Sequence, residues 1–249
     1  MPKLMVDDMT QGIQISGAAG SSFQFSAVKI ENLGSTEYTL VTIAIDLSSS
    51  VCGYEKDIEG CVKAAIEACA KSPRAENLLI RVITFNEHVV EVHGFILLSA
   101  VDMNDYKLNP SGMTALYDAT YSSLGACLTY AESLVNQDFS VNGIAFVITD
   151  GMDNRSKATP AMIAQLKEVA VKGEKIESML TVLIGINVPD ASVKAYLSNF
   201  EKEAKFDQFV DAGSASKETL AKLAAFVSKS ISSQSQSLGT GGPSQSLSF

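Results

Sequence analysis

No tryptophan occurs in these 249 residues, histidine occurs twice and proline six times. Two histidines leave little room for chemistry that needs an imidazole base, and no G-x-S-x-G turn accompanies them. His88 and His93 stand five apart on what reads as one strand; an odd spacing sends side chains to opposite faces, so the pair does not share an ion. No run of basic residues occurs, and the net charge is −9 with a pI near 4.8. A nucleic-acid partner needs Lys and Arg gathered on one face, so that class is excluded. Neither a phosphate-cradling G-x-x-x-x-G-K-[ST] loop nor an apolar run of about eighteen residues is present. The first residues, Met1 to Asp8, lack the apolar centre of a signal peptide. From these absences the protein is expected to be soluble and cytoplasmic, with no membrane partner. The sequon Asn154-Arg155-Ser156 then carries no meaning. Cys52, Cys61, Cys69 and Cys127 show no C-x-x-C spacing and read as reduced thiols, packed as small hydrophobes.

What is present is an ample core: hydrophobic residues make up 46% of the chain, enough for one large α/β domain. The organising stretch is Asp46-Leu47-Ser48-Ser49-Ser50, which follows the apolar run Leu40 to Ile45. That run reads as a strand buried on both faces. One carboxylate and two hydroxyls at alternate positions of the loop leaving it can converge on a point, and oxygen ligands suit a hard divalent ion such as Mg²⁺. Three ligands do not fill its shell, so others must come from elsewhere. A second continuous apolar strand, Val141 to Thr149, ends at Asp150-Gly151, which places Asp150 on the same sheet edge as Asp46.

Between and after these strands, helical and extended patterns alternate. Ile58, Val62, Ala65, Ile66 and Cys69 recur at helical spacing up to Ser72-Pro73, with the helix starting beside Ser50. Leu78 to Phe85 and Val89 to Phe95 are too close in sequence for a parallel crossover and predict an antiparallel hairpin at a sheet edge. A polar loop, Asp102 to Ser111, delivers Thr114 to the start of a helix over Ala115 to Leu134. On that helix Asp118 lies one turn after Thr114, either behind the site or in solvent. Asp153 and Asn154 read as turn formers, with contact to the site as a lesser role. Thr159-Pro160 opens a helix to about Lys172. The rest reads as a strand over Lys175 to Ile186, a helix over Asp190 to Lys202, a short strand over Phe206 to Val210 and a closing helix over Lys217 to Ser230. This alternation predicts a doubly wound, mostly parallel sheet with one antiparallel edge strand and helices on both faces.

The flanks differ in character. In residues 1–37, alternating Ile13 and Ile15 and the group Phe23, Phe25, Val28 and Ile30, joined through a turn-rich Gly17 to Ser22, suggest an added edge hairpin, with partner binding as its functional alternative. Residues 232–249 are rich in Ser, Gln and Gly, and Ser235-Gln236-Ser237-Leu238 recurs as Ser244-Gln245-Ser246-Leu247. That composition reads as a flexible tail, with a docking peptide anchored by Leu238, Leu247 and Phe249 as the rival.

Asp-x-Ser-x-Ser after a first buried strand, a Thr about sixty residues on and an Asp-Gly after a later strand resemble the von Willebrand factor type A (vWA) domain over residues 38–231. That family names the constellation a metal-ion-dependent adhesion site. The resemblance implies a Rossmann-like fold in which Asp46, Ser48 and Ser50 hold the metal, Thr114 joins directly in a tight-binding state, and Asp150 contacts it directly or through water. Ser49 stands where the family usually has Gly, and Met113 where a second Gly often precedes the Thr. The resemblance implies no enzyme but a Mg²⁺-dependent interaction module, with Mn²⁺ or Ca²⁺ as other cations, that takes a partner's Asp or Glu onto the metal. The single-domain layout resembles intracellular bacterial members that work beside ATPases or stress-response kinase and phosphatase systems; another copy of the chain is a further partner. The competing readings are a structural or assembly subunit with a merely stabilising metal, and a Mg²⁺-dependent hydrolase or phosphoryl-transfer enzyme using Asp46 as nucleophile.

Overall fold

The apolar runs fold as the strands of one sheet. In order they are β1 (Thr10–Ser16), β2 (Ser22–Val28), β3 (Glu37–Asp46), β4 (Leu78–Phe85), β5 (Val89–Leu97), β6 (Ser140–Thr149), β7 (Met179–Ile186) and β8 (Gln208–Gly213). The helices are α1 (Glu55–Cys69), α2 (Leu116–Val135), α3 (Pro160–Lys172), α4 (Ala191–Glu203) and α5 (Lys217–Ser237). The computed structural model describes residues 10–16, 22–172, 175–188, 190–238 and 247–249. Met1 to Asp8 and the turn-rich link from Gly17 to Ser21 lie outside the described residues, as does the tail from Gly239 to Ser246.

The sheet order is β1-β2-β5-β4-β3-β6-β7-β8. Strands β3 and β6 run parallel at its centre, with Val41 beside Ile144 and Ile45 beside Ile148. Along β3, Val41, Ile43 and Ile45 enter one core layer while Leu40 and Ala44 enter the other. A strand covered on both faces has no polar side, and so its sequence is a nearly continuous apolar run, broken in β3 only by buried threonines. Helices α1 and α5 close one face, where Ile58, Val62, Leu223 and Val227 join the core. Helices α2, α3 and α4 close the other through Leu124, Leu128, Ile163 and Leu197. The architecture is therefore the doubly wound, mostly parallel sheet that the alternation of strands and helices predicts.

Three details differ from the sequence expectation. Strand β5 is antiparallel to β4, as its short connection demands, but it is not the edge: the β1–β2 hairpin lies outside it, with Ala27 of β2 paired to Phe95. Gly94 allows that approach, because a Cβ there would stand 1.9 Å from the Ser26 carbonyl oxygen. His88 sits in the exposed turn before β5, while His93 is buried in the strand, its Nε2 at 2.7 Å from the Tyr106 hydroxyl. Finally, α5 continues past Ser230 to Ser237, and Gln234, Ser235 and Leu238 are buried. Residues 232–238 are thus part of the folded body. Leu247 packs against the α1–α5 core layer, its carbonyl accepting from Gln208 Nε2 at 2.9 Å, and Phe249 meets Phe226 edge-on at 5.7 Å.

Candidate metal centre

Strands β4 and β6 flank β3 on opposite sides, so the winding direction reverses between β3 and β6. Loops leaving the carboxyl ends of such strands part and leave a crevice. Asp46 is the last residue of β3 and Asp150 follows the last residue of β6. The sequence-selected carboxylates therefore stand at one sheet edge because their strands are neighbours.

Asp46 is 1% exposed. Its Oδ1 accepts the Ser48 backbone N–H at 2.8 Å, and its Oδ2 accepts the Thr149 hydroxyl at 2.6 Å. Ser48 Oγ and Ser50 Oγ are 3.0 Å apart, and Ser50 Oγ donates to Asp150 Oδ1 at 2.7 Å. The other oxygen of Asp150 accepts the Tyr54 hydroxyl. Asp46, Ser48, Ser50 and Asp150 thus form one connected group of oxygens.

Thr114 stands in the adjoining loop, buried, and is placed by its backbone. Its N–H donates to Asn154 Oδ1 at 2.8 Å and its carbonyl accepts the Asn154 N–H at 3.0 Å. Among the described residues, no hydrogen bond joins the Thr114 side chain to the other four. The loop itself is tied to the Asp46 loop. Ser49 N–H and Ser49 Oγ both donate to the Gly112 carbonyl, at 3.2 and 3.1 Å, and Ser111 N–H donates to the Leu47 carbonyl at 2.8 Å. Gly112 has φ +78, a backbone that favours glycine. Ser49, where the resembling family usually has Gly, therefore adds a side-chain clip between the two loops. Met113, the other departure, is half exposed at the rim.

Sequence reasoning missed several supports. Thr149 and Tyr54 carried no signal, since only the sheet register sets Thr149 across from Asp46. Asp153 and Asn154 do more than turn the chain: Asp153 accepts from the Tyr117 N–H at 3.3 Å and the Ser156 hydroxyl at 2.5 Å. Asp118 neither faces solvent alone nor reaches the site; its Oδ1 accepts the Lys157 and Ala158 N–H groups at 3.1 and 2.7 Å. Helix α2 thereby pins the segment after Asp150 that also holds Thr114.

Burial pushes the Asp46 carboxyl up to about 6, against the hydrogen bonds from Thr149 and Ser48, and the charge of Asp150 adds to the rise. Burial and the Asp150 carboxylate raise the Tyr54 phenol well above its usual value. Among the described residues no Lys, Arg or His pairs with Asp46 or Asp150. A buried carboxylate without a counter-charge is costly, and a cation is the species that would relieve it. Among the described residues no three His, Cys, Asp or Glu side chains converge on a point, so a cation here would rely on hydroxyls beside two carboxylates. That oxygen-only donor set fits a hard divalent ion and disfavours a thiolate-seeking one.

No family model matches the sequence, and no curated protein matches it either. Solved structures do resemble it. The PilB minor pilin of Streptococcus sanguinis superposes with TM-score 0.58 at 15% identity, over 90% of this chain and 67% of that one. The pilus adhesin SpaC of Lactobacillus rhamnosus GG gives 0.59 at 9%, over 90% and 35%. Proximal thread matrix protein 1 of the mussel byssus, in a structure with a zinc-occupied MIDAS motif, gives 0.53 at 16%, over 89% and 48%. The fold is vWA-like. This vWA-like chain spans about two thirds of the pilin and less than half of the other two proteins.

Proposed function

We propose that this vWA-like domain is a protein-interaction module that holds a divalent cation, Mg²⁺ first and Mn²⁺ or Ca²⁺ as alternatives, and takes an acidic side chain of a partner there. The observation that carries the reading is the buried Asp46 carboxylate, connected through Ser48 and Ser50 to Asp150 with no cationic side chain among the described residues to balance it. A bound cation would supply an electrophilic point for an incoming carboxylate. Asp46, Ser48, Ser50 and Asp150 would hold it, and Thr114, fixed by Asn154, would approach from the adjoining loop.

Among the described residues neither histidine bonds this oxygen group: His93 is buried against Tyr106, and His88, though its turn lies at the same sheet edge, is exposed with its ring beside Glu87. This supports binding rather than turnover. The three likenesses have names from adhesion and matrix assembly, which also favours a binding role. Two are pilus proteins, and the cytoplasmic placement expected from the sequence draws no support from them; among the described residues, no helix is long and apolar enough to cross a membrane. A partner in an ATPase, kinase or phosphatase system, or a second copy of the chain, is the form of partner proposed. As a domain plan we propose the vWA-like body from residue 38, with the hairpin before it as an addition.

Titration of wild type and Asp46→Ala with Mg²⁺ and Mn²⁺ by calorimetry tests the cation. Affinity capture with both variants, each with Mg²⁺ and with EDTA, tests the bridge. A protein retained only by wild type with Mg²⁺ is the expected result. Saturable cation binding with identical capture in all four arms would instead leave the metal as a stabiliser.

A further inference from the structure

Both oxygens of Asp150 are engaged within the chain, one of them by a residue that the Asp-x-Ser-x-Ser pattern does not contain. Oδ1 accepts from Ser50 Oγ at 2.7 Å, and Oδ2 accepts from the Tyr54 hydroxyl. Tyr54 is the residue before α1. Gly53, at φ +103 and with its N–H donated to Glu55 Oε2 at 2.7 Å, makes the turn that delivers it. The Tyr54 ring packs against the α1–α5 core layer, so the phenol is held rather than free. Asn187, just past the end of β7, stands near enough to the phenol to offset part of its rise. The Asn187 backbone is left-handed at φ +53 and donates to the Gly213 carbonyl at 2.6 Å; asparagine tolerates that conformation better than most residues. A line of contacts therefore runs from the β7–β8 end through Asn187 and Tyr54 to Asp150 and Ser50.

We infer that Tyr54 is a positioning residue that restrains Asp150, so that Asp150 gives the cation at most one oxygen and leaves it electrophilic toward an incoming carboxylate. The inference rests on the cation-binding reading above. A hydrogen bond to a carboxylate is charge-assisted and strong, so Oδ2 stays turned toward the phenol. Two fully committed carboxylates would neutralise a divalent ion, and a third carboxylate would then gain little from it. By engaging Oδ2, Tyr54 trades intrinsic cation affinity for affinity toward the partner's acid. Without the hydroxyl, Asp150 is released to become a full ligand.

The test uses Mn²⁺ alone as the cation probe and acetate as the carboxylate probe, on the full chain. Spin resonance of free Mn²⁺ gives its affinity, and water-proton relaxation counts the exchangeable waters on bound Mn²⁺. Tyr54→Phe keeps the packed ring and removes only the hydroxyl. It is expected to bind Mn²⁺ about five- to tenfold tighter, since ligand charge sets affinity at such sites, with fewer exchangeable waters and weaker acetate binding. In an Asp150→Asn background the same change should leave Mn²⁺ affinity unaltered. Unchanged affinity and water count in Tyr54→Phe, or an equal gain in the Asp150→Asn background, overturns the inference. If wild type binds Mn²⁺ no better than Asp46→Ala, the cation-binding reading fails first. A purely structural tyrosine would lower the melting temperature in EDTA and leave the water count where it was.

Discussion

A carboxylate that is 1% exposed and meets no cationic side chain among the described residues makes stability depend on pH in a direction opposite to most acidic groups. Burial lifts Asp46 from 3.8 to about 6. Between those values the folded, cation-free chain keeps a proton that the unfolded chain has released. Stability therefore falls as pH rises from about 4 to about 6 and stays lower above, by up to about 3 kcal/mol as an order of magnitude. Urea unfolding in EDTA across that range should show wild type losing stability relative to Asp46→Asn, which has no such proton to lose. Excess Mg²⁺ should restore wild type above pH 6, by mass action on the folded state, and leave Asp46→Asn unmoved. Parallel pH profiles for the two proteins would show that Asp46 carries no uncompensated charge. At this scale the sequence was readable where polar residues interrupt an apolar strand, as at Asp46 and Asp150. It was silent where a role depends on register. Thr149 is next to Asp150 in sequence, yet its hydroxyl serves Asp46 across the β3–β6 pair; Asn154 looks like any turn former until Thr114 is beside it.

Helix α5 shows how composition can hide periodicity. Its second half is Ser- and Gln-rich, and that richness suggests a solvated tail, but Ala224, Ile231 and Leu238 continue the buried stripe at seven-residue spacing. Gln234, between the last two, makes directed contacts. Gln234 Nε2 donates to the Gly143 carbonyl at 3.0 Å and Ser178 Oγ at 2.9 Å, and its own carbonyl accepts from Asn142 Nδ2 at 2.6 Å. Asn142 Oδ1 in turn accepts from the Thr39 hydroxyl at 2.7 Å. The seam lies at the start of β3 and β6, the end of the sheet away from Asp46, so α5 is fastened at the far side from the candidate centre. Removing residues 232–249 exposes the pocket of Leu238 and orphans the Asn142 amide, a cost of about 3–5 kcal/mol. Removing only residues 239–249 should cost about 1 kcal/mol, since it spares the seam. Urea midpoints of the two truncations against the full chain check this, and equal midpoints would return residues 232–238 to the status of a tail.

Across the whole molecule, the parallel core followed from the alternation of apolar runs and helical patterns, because a parallel strand covered by helices leaves few other arrangements. Which edge the added hairpin takes did not follow, since no sequence pattern marks the close approach of Ser26 to Gly94. Ser26 donates through its N–H and its hydroxyl to Glu91 Oε1 at 2.9 and 2.7 Å, and Glu91 Oε2 accepts from the buried Arg81 Nε at 2.7 Å. Tyr130 adds a bond to the Val28 carbonyl at 2.7 Å, and Phe95 stacks on Tyr130 with centroids 5.5 Å apart. All of this needs the backbone of Ser26 against Gly94, where a Cβ would meet the Ser26 oxygens at 1.9 and 2.2 Å. No side-chain rotation relieves a clash with a carbonyl. Gly94→Ala should therefore push β2 off β5, strip Glu91 of two donors and cost about 2–4 kcal/mol. Hydrogen exchange would localise the loss: amides of β1 and β2 lose protection while those of β3 and β6 keep theirs. Mn²⁺ affinity should not change, because Asp46, Ser48, Ser50 and Asp150 stand in or just after β3 and β6, neither of which is paired with the hairpin. A uniform loss of protection would mean that the hairpin and the parallel core fold as one cooperative unit, and that the added edge is integral to the domain.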